Sequence, residues 1–163
     1  MSVAVRKVEP ETTRAPAKPS RSRKFLQVDA PLSEKQKHLI RATFVQIEPA
    51  LDLVAALFFL KLFDLDPSFR KVFKGSAKDR TRKFTAAMKL VIISLDRQDE
   101  LKPTLKLIGV QSRQYGVRDG QYATIAEAMI WTLEQSLEAS FSKTARGAWT
   151  ALLARITHIL AGR

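Results

Sequence analysis

Between Arg70 and Lys83 the chain places Arg70, Lys71, Lys74, Lys78, Arg80, Arg82 and Lys83 against the single anion Asp79. Guanidinium and ammonium groups at this density attract phosphates, carboxylates or an acidic protein surface through charge-assisted hydrogen bonds. The whole chain is basic, with a formal charge of +12 at pH 7, which adds salt-sensitive, non-specific attraction to nucleic acid. Neither a helix-turn-helix pattern nor a run of exposed aromatics for base stacking accompanies that charge. Sequence-specific nucleic-acid binding is therefore not expected.

Residues suited to catalysis are scarce. The absence of cysteine excludes disulfides, thiolate zinc sites, iron–sulfur clusters and a cysteine nucleophile. Only His38 and His158 carry imidazoles, and helical geometry turns both away from the apolar stripes of their segments. Asp64 and Asp66 suit a helix end and a cap better than a pair of catalytic acids, and no glycine-rich phosphate loop is present. The expectation is a non-enzymatic protein with no metal site.

The elements that must position these residues follow from periodicity. Residues 1 to 30 are rich in Pro, Ser, Thr, Arg and Lys without an apolar period, so a flexible basic arm is expected there. Residues 31 to 163 form the one domain that the length and the 45% apolar content allow. Ser33-Glu34-Lys35-Gln36 has capping-box spacing and opens a helix carrying Ile40, Phe44 and Ile47. Pro49 suits the start of a second helix through Phe63 that is apolar almost all round, which predicts deep burial.

Further along, Asp66-Pro67 opens a short helical piece bearing Phe69 and Phe73, and a Gly75-Ser76 corner follows. Phe84, Met88, Val91, Ile92 and Leu95 are spaced as one helical stripe. Leu101, Leu105 and Ile108 predict a helix closed by Gly116 in the left-handed conformation. Asp119 is the expected cap of a helix through Tyr122, Met129 and Leu137, and Ser142 that of a last helix with Trp149, Leu152, Ile156 and Leu160 on its apolar face. Nothing alternates with period two over a useful length, so the expected class is all-α with six or seven helices.

The stretch Ala50 to Phe63 is interrupted by Asp52 and Lys61 and is short of the roughly 20 residues of a membrane helix. Pro10, Pro16 and Pro19 break any long amphipathic targeting helix in the arm. No membrane association and a cytoplasmic location are expected.

Four patterns, in this order, resemble a bacterial or neuroglobin-like single-domain globin. They are Phe59-Leu60-Lys61-Leu62-Phe63-Asp64-Leu65-Asp66-Pro67 with Phe73 following; Arg82-Lys83-Phe84; Ile108-Gly109 through Tyr115-Gly116-Val117; and Trp131-Thr132-Leu133-Glu134-Gln135 through Trp149. The resemblance spans roughly residues 32 to 161 and implies a three-over-three helical sandwich. It also implies a haem pocket in which Phe73 packs on the haem and Phe59 is the pocket residue of the second helix. Arg80 then stands where a distal glutamine or histidine is usual, Phe84 where a smaller aliphatic residue is common, and Ser112 where the iron-binding histidine belongs.

A serine hydroxyl replaces a proximal imidazole poorly, and Lys83, Tyr115 and Met88 are the remaining side chains that a globin pocket would bring near. The resemblance therefore leads to two expectations. In the first, the protein holds no conventional haem and binds or regulates through the basic surface around a remodelled pocket, its partner an acidic protein or another anion. In the second, haem is retained with non-histidine ligation and binds oxygen or nitric oxide.

Overall fold

In a computed structural model the described residues are 30–163. The expected basic arm thus lies outside the described residues, apart from Ala30. The elements run α1 (Glu34–Ile47), a 3-10 turn (Glu48–Ala50), α2 (Leu51–Leu65), the single-turn α3 (Phe69–Val72), α4 (Ala77–Ile93), α5 (Gln98–Gln114), α6 (Gln121–Leu137), a 3-10 turn (Glu138–Ser140) and α7 (Lys143–Leu160). No strand occurs among the described residues.

Helix starts are where short polar side chains satisfy the free amides. Ser33 Oγ accepts from the Gln36 amide at 3.1 Å while Gln36 Oε1 accepts from the Ser33 amide at 2.9 Å, completing the capping box. Ser76 caps α4 through the Asp79 amide, and Ser142 caps α7 through the Ala145 amide. Gly116 closes α5 at φ 98°, a conformation that costs glycine little.

At α6 the expectation fails: Asp119 is not the cap, and Gly120 occupies that position without a side-chain bond. The entry to α6 is held instead by Gln121, whose Oε1 accepts from the Arg118 amide and whose Nε2 donates to Asp66 Oδ2 at 2.7 Å and Ser68 Oγ at 2.9 Å. This buried amide ties α6 to the corner before α3. Asp66 also accepts from the Ser68 hydroxyl and amide; these bonds, the Ser68 hydroxyl foremost and then Gln121, hold its carboxyl below the usual carboxylate range.

The six longer helices form two crossed layers, α1, α4 and α5 over α2, α6 and α7. Within and between them α2 packs on α6 and α4, and α7 on α1, α5 and α6. Trp149 is 1% exposed and its indole N–H donates to Thr43 Oγ1 at 2.8 Å, so the largest core side chain satisfies its one polar atom. The second helix is less enclosed than its composition predicts. Val54, Phe58 and Leu62 are buried, but Leu53 and Leu60 face solvent.

The stretch Glu34–Leu65 is long and apolar enough to cross a membrane. A 3-10 turn at Glu48–Ala50 separates its two helices, and Ile40, Phe44, Ile47, Phe58 and Leu62 are spent on the core shared with the later helices.

The tightest crossing is between α5 and α7. Gly109 is buried against the last turn of α7, and a Cβ at that position would lie 2.2 Å from the Leu160 carbonyl oxygen. Backbone on both sides leaves nothing to rotate away. Gly109→Ala is expected to cost about 3 kcal/mol through overpacking and to lower Tm by roughly 6–12 °C in thermal denaturation. An unchanged Tm would refute this crossing.

Because its folded pKa is lowered, Asp66 contributes stability above the ordinary carboxylate range and loses it as pH falls through the depressed value. Asp66→Asn should therefore be less stable than the parent at neutral pH, with the difference disappearing in acid; a constant difference in urea midpoints down to pH 2 would contradict this.

Candidate functional site

Three helical segments deliver the aromatic part of the site. Phe59 projects from α2, Phe73 follows α3 and Phe84 comes from the inner face of α4. The Phe59 ring centroid lies 5.3 Å from that of Phe73 and 6.2 Å from that of Phe84, and Phe58 joins at 5.1 Å from both Phe59 and Phe84. The predicted aromatics thus meet in one cluster. These separations are those of edge-to-face and tilted pairs, in which rings fill space against one another.

Arg80 leans over this cluster. Its guanidinium carbon is 5.8 Å from the Phe59 centroid and 5.5 Å from that of Phe63, and it donates to the Gly75 carbonyl at 2.8 Å. Arg70 lies 4.9 Å from the Phe63 centroid. A cation over a ring face is held by the ring quadrupole. Arg80 is half-buried and Arg70 exposed, and these two cations of the segment lie against the aromatic wall.

Arg70, Lys71, Lys74, Lys78, Arg82 and Lys83 are exposed. Lys78 and Arg82 line, with Lys89 and Asp52, an open cleft of about 750 Å³ on the outer side of α4. Arg82 is partly neutralised by Asp79 at 3.2 Å. The rest of the row faces solvent as a basic surface bordering the aromatic cluster.

On α5 the decisive residue is Ser112. Its hydroxyl lies 2.8 Å from the Gly109 carbonyl and 2.6 Å from the phenol oxygen of Tyr122, which is 2% exposed. The arrangement that satisfies every group has Ser112 donating to the carbonyl and Tyr122 donating to Ser112. Tyr122 thereby gains the partner that a buried phenol requires. The Ser112 oxygen is committed to the α5–α6 contact.

Other ligand candidates are distributed differently. Tyr115 ends α5 and is 67% exposed, and Lys83 points to solvent, so neither joins the aromatic cluster. Met88 is half-buried on the α4 stripe packed against the core. His38 is exposed, as its helical position predicts. His158 differs from expectation: it is half-buried and lines, with Lys102, Arg155 and Arg163, a cleft of about 400 Å³ between α5 and α7.

In the sequence Tyr122 reads only as a member of the regular apolar stripe of its helix. Its signal was chemical, a phenol at a core position for which Ser112 is a hydroxyl partner. Ser112→Ala and Tyr122→Phe should each cost about 1 kcal/mol in urea unfolding, and the double variant less than their sum by at least about 0.5 kcal/mol. Strict additivity would show that the two hydroxyls do not interact.

The Globin family model matches residues 56–160, from α2 through α7 and more than half of the chain. Neuroglobins are similar: that of Chaenocephalus aceratus is 26% identical over 135 residues, covering 74% of this chain and 85% of its own, and that of Danio rerio is 24% identical with the same coverage. Among solved structures, the hexacoordinated heme protein from an anhydrobiotic tardigrade superposes with a TM-score of 0.68 at 16% identity, covering 81% of this chain and 94% of its own. The helix order, the crossed layers and the family match agree, and the chain belongs to the globin family.

Proposed function

We propose that this globin is a non-enzymatic binding protein whose pocket has given up histidine-ligated iron and whose basic α3–α4 surface receives an anionic partner. The observation that carries this reading is the Ser112–Tyr122 hydrogen bond at 2.6 Å, which uses the proximal side chain to join α5 to α6. An iron ligand needs a free, strongly donating atom. The residues present do not fit a histidine-held iron: Ser112 is engaged, His38 is exposed and His158 sits in the α5–α7 cleft.

The basic surface supplies the alternative chemistry. Lys71, Lys74, Lys78 and Lys83 form no ion pair among those between described residues, so their charge is available to carboxylates or phosphates. An acidic protein suits this surface, and nucleic acid would be held through its phosphates without sequence preference.

A second reading keeps haem, and the likeness to neuroglobins and to a heme protein supports it. On that reading Phe59, Phe73 and Phe84 would cover one side of the porphyrin, and affinity would come from apolar burial at about 25 cal/mol per Å², with Arg80 and Lys83 near its carboxylates. The group would supply an iron centre for binding oxygen or nitric oxide.

Titration of the purified protein with ferric haem separates the two. The first reading expects no saturating Soret band in the parent and, in Ser112→His, a stoichiometric band with affinity raised at least about tenfold, or 1.4 kcal/mol. A sharp one-to-one Soret band in the parent would overturn it in favour of the second. For the basic surface, combined Lys71→Glu, Lys74→Glu and Lys78→Glu substitutions should lower the salt needed to elute the protein from a heparin column; elution at the parent's position would remove this surface from the proposal.

A further inference from the structure

Of the two imidazoles only that of His158 is half-buried, and neither the aromatic cluster nor the α3–α4 surface makes use of it. It lies near the end of α7, in the wall of the cleft of about 400 Å³ between that end and the start of α5. Asp99 and Lys102 line the cleft from α5, Arg155 lines it from α7, and Arg163 lines it from just beyond α7. Three cations and an imidazole thus border one concave space that holds a single carboxylate.

The end of α7 is built so that it does not repel an anion there. Helix C-termini carry partial negative charge on their unpaired carbonyls. Here the carbonyls of Thr157, His158 and Ile159 accept from the amides of Ala161, Arg163 and Gly162, and that of Leu160 accepts from the Arg113 guanidinium at 2.7 Å. Gly162, at φ 81°, makes the left-handed turn of this closure. The turn brings Arg163 back to His158, and both side chains line the cleft.

Lys102 and Arg163 form no ion pair among the described residues. Arg155 is fixed in the wall by donating from Nη1 to the Ala30 carbonyl. Glu100, the acid beside Asp99, pairs with Arg97 at 3.7 Å. Ile159 adds an apolar side to the cleft, and charges in a partly enclosed space are screened by salt less than those on an open surface.

We propose that this cleft binds a diphosphate group, with Lys102 and Arg163 meeting its charge from the two sides and His158 donating a ring N–H. The one carboxylate selects for high ligand charge. A ligand with a single negative charge gains little once Asp99 opposes it. A phosphate monoester carries about −1.5 to −2 at pH 7, and a diphosphate, with more charge spread over two linked groups, engages cations on both walls at once. Guanidinium and ammonium groups are the usual partners of phosphate oxygens.

Having only two histidines makes the test specific. In proton–nitrogen NMR spectra at fixed pH and ionic strength, inorganic pyrophosphate should shift the His158 ring signals saturably and leave those of the exposed His38 in place, with His158→Gln assigning the signals. Inorganic phosphate should bind at least about tenfold more weakly, or 1.4 kcal/mol. Adenosine diphosphate separates the two sources of the group: tighter binding than pyrophosphate supports a diphosphate ester, and equal or weaker binding supports the free anion. Lys102→Glu with Arg163→Glu should weaken pyrophosphate binding at least about tenfold, with unchanged circular dichroism because both side chains are exposed. Combined Lys71→Glu, Lys74→Glu and Lys78→Glu should leave the His158 shift intact. The proposal is overturned by the absence of a saturable His158 shift, by an equal shift at His38, or by phosphate binding as tightly as pyrophosphate. Binding that survives the cleft substitutions, or that is lost with those on the α3–α4 surface, overturns it as well.

Discussion

A single backbone position, Gly109, governs how α5 meets α6 and α7 in this globin. Lacking a side chain, it lets the last turn of α7 approach until the Leu160 carbonyl stands where a Cβ would be. The same residue's carbonyl receives the Ser112 hydroxyl at 2.8 Å, with the Tyr122 phenol 3.4 Å away. Arg113 then donates to the Leu160 carbonyl at 2.7 Å, fastening α5 to α7 one turn further along. Close approach and polar satisfaction are thus one arrangement: moving α5 outward to admit a bulkier residue would also pull Ser112 from Tyr122.

That coupling makes position 112 part of the packing between α5 and α6. A net hydrogen bond is worth only about 1 kcal/mol, but leaving a buried phenol unpaired costs about 1–3 kcal/mol. Tyr122 is almost fully enclosed, and its hydroxyl has its short bond to Ser112 at 2.6 Å, with the Gly109 carbonyl a longer second acceptor at 3.4 Å. On the opposite side, Phe59, Phe73 and Phe84 support one another, and Arg80 adds its guanidinium to the rings. The Ser112–Tyr122 contact and the aromatic cluster are each held by contacts within the protein.

Much of this was legible in the chain because local chemistry has local signatures. Ser33, Ser142 and Gly116 do what their types and spacing demand, and the aromatic cluster follows from where Phe59, Phe73 and Phe84 fall along their helices. The failures are non-local. Gln121 displaces Asp119 at the start of α6 because its partners, Asp66 and Ser68, are more than fifty residues away. Leu53 and Leu60 are exposed because composition records how apolar a helix is but not how many neighbours surround it. Arg80 reads as one cation in a row, and only the fold turns it inward over Phe59 and Phe63.

The distribution of charge follows from the same distinction between local pattern and placement. Asp79 and Arg82 neutralise each other at helical spacing, and Asp96 gathers Lys37 at 3.3 Å and Arg41 at 2.7 Å, their hydrogen bonds and charge holding its carboxyl below the usual range. Exposed pairs of this kind add little stability, about 0–1 kcal/mol each, but they decide which cations remain available. Sixteen acids cannot offset twenty-eight bases, and the excess is not spread evenly. It collects along α3 and α4 beside the aromatic cluster, whereas along α5 the exposed bases Lys102 and Lys106 are mixed with the exposed acids Asp99 and Glu100. A dense run of one sign attracts anions over a longer range than a mixed one, so the α3–α4 row dominates the field of the chain.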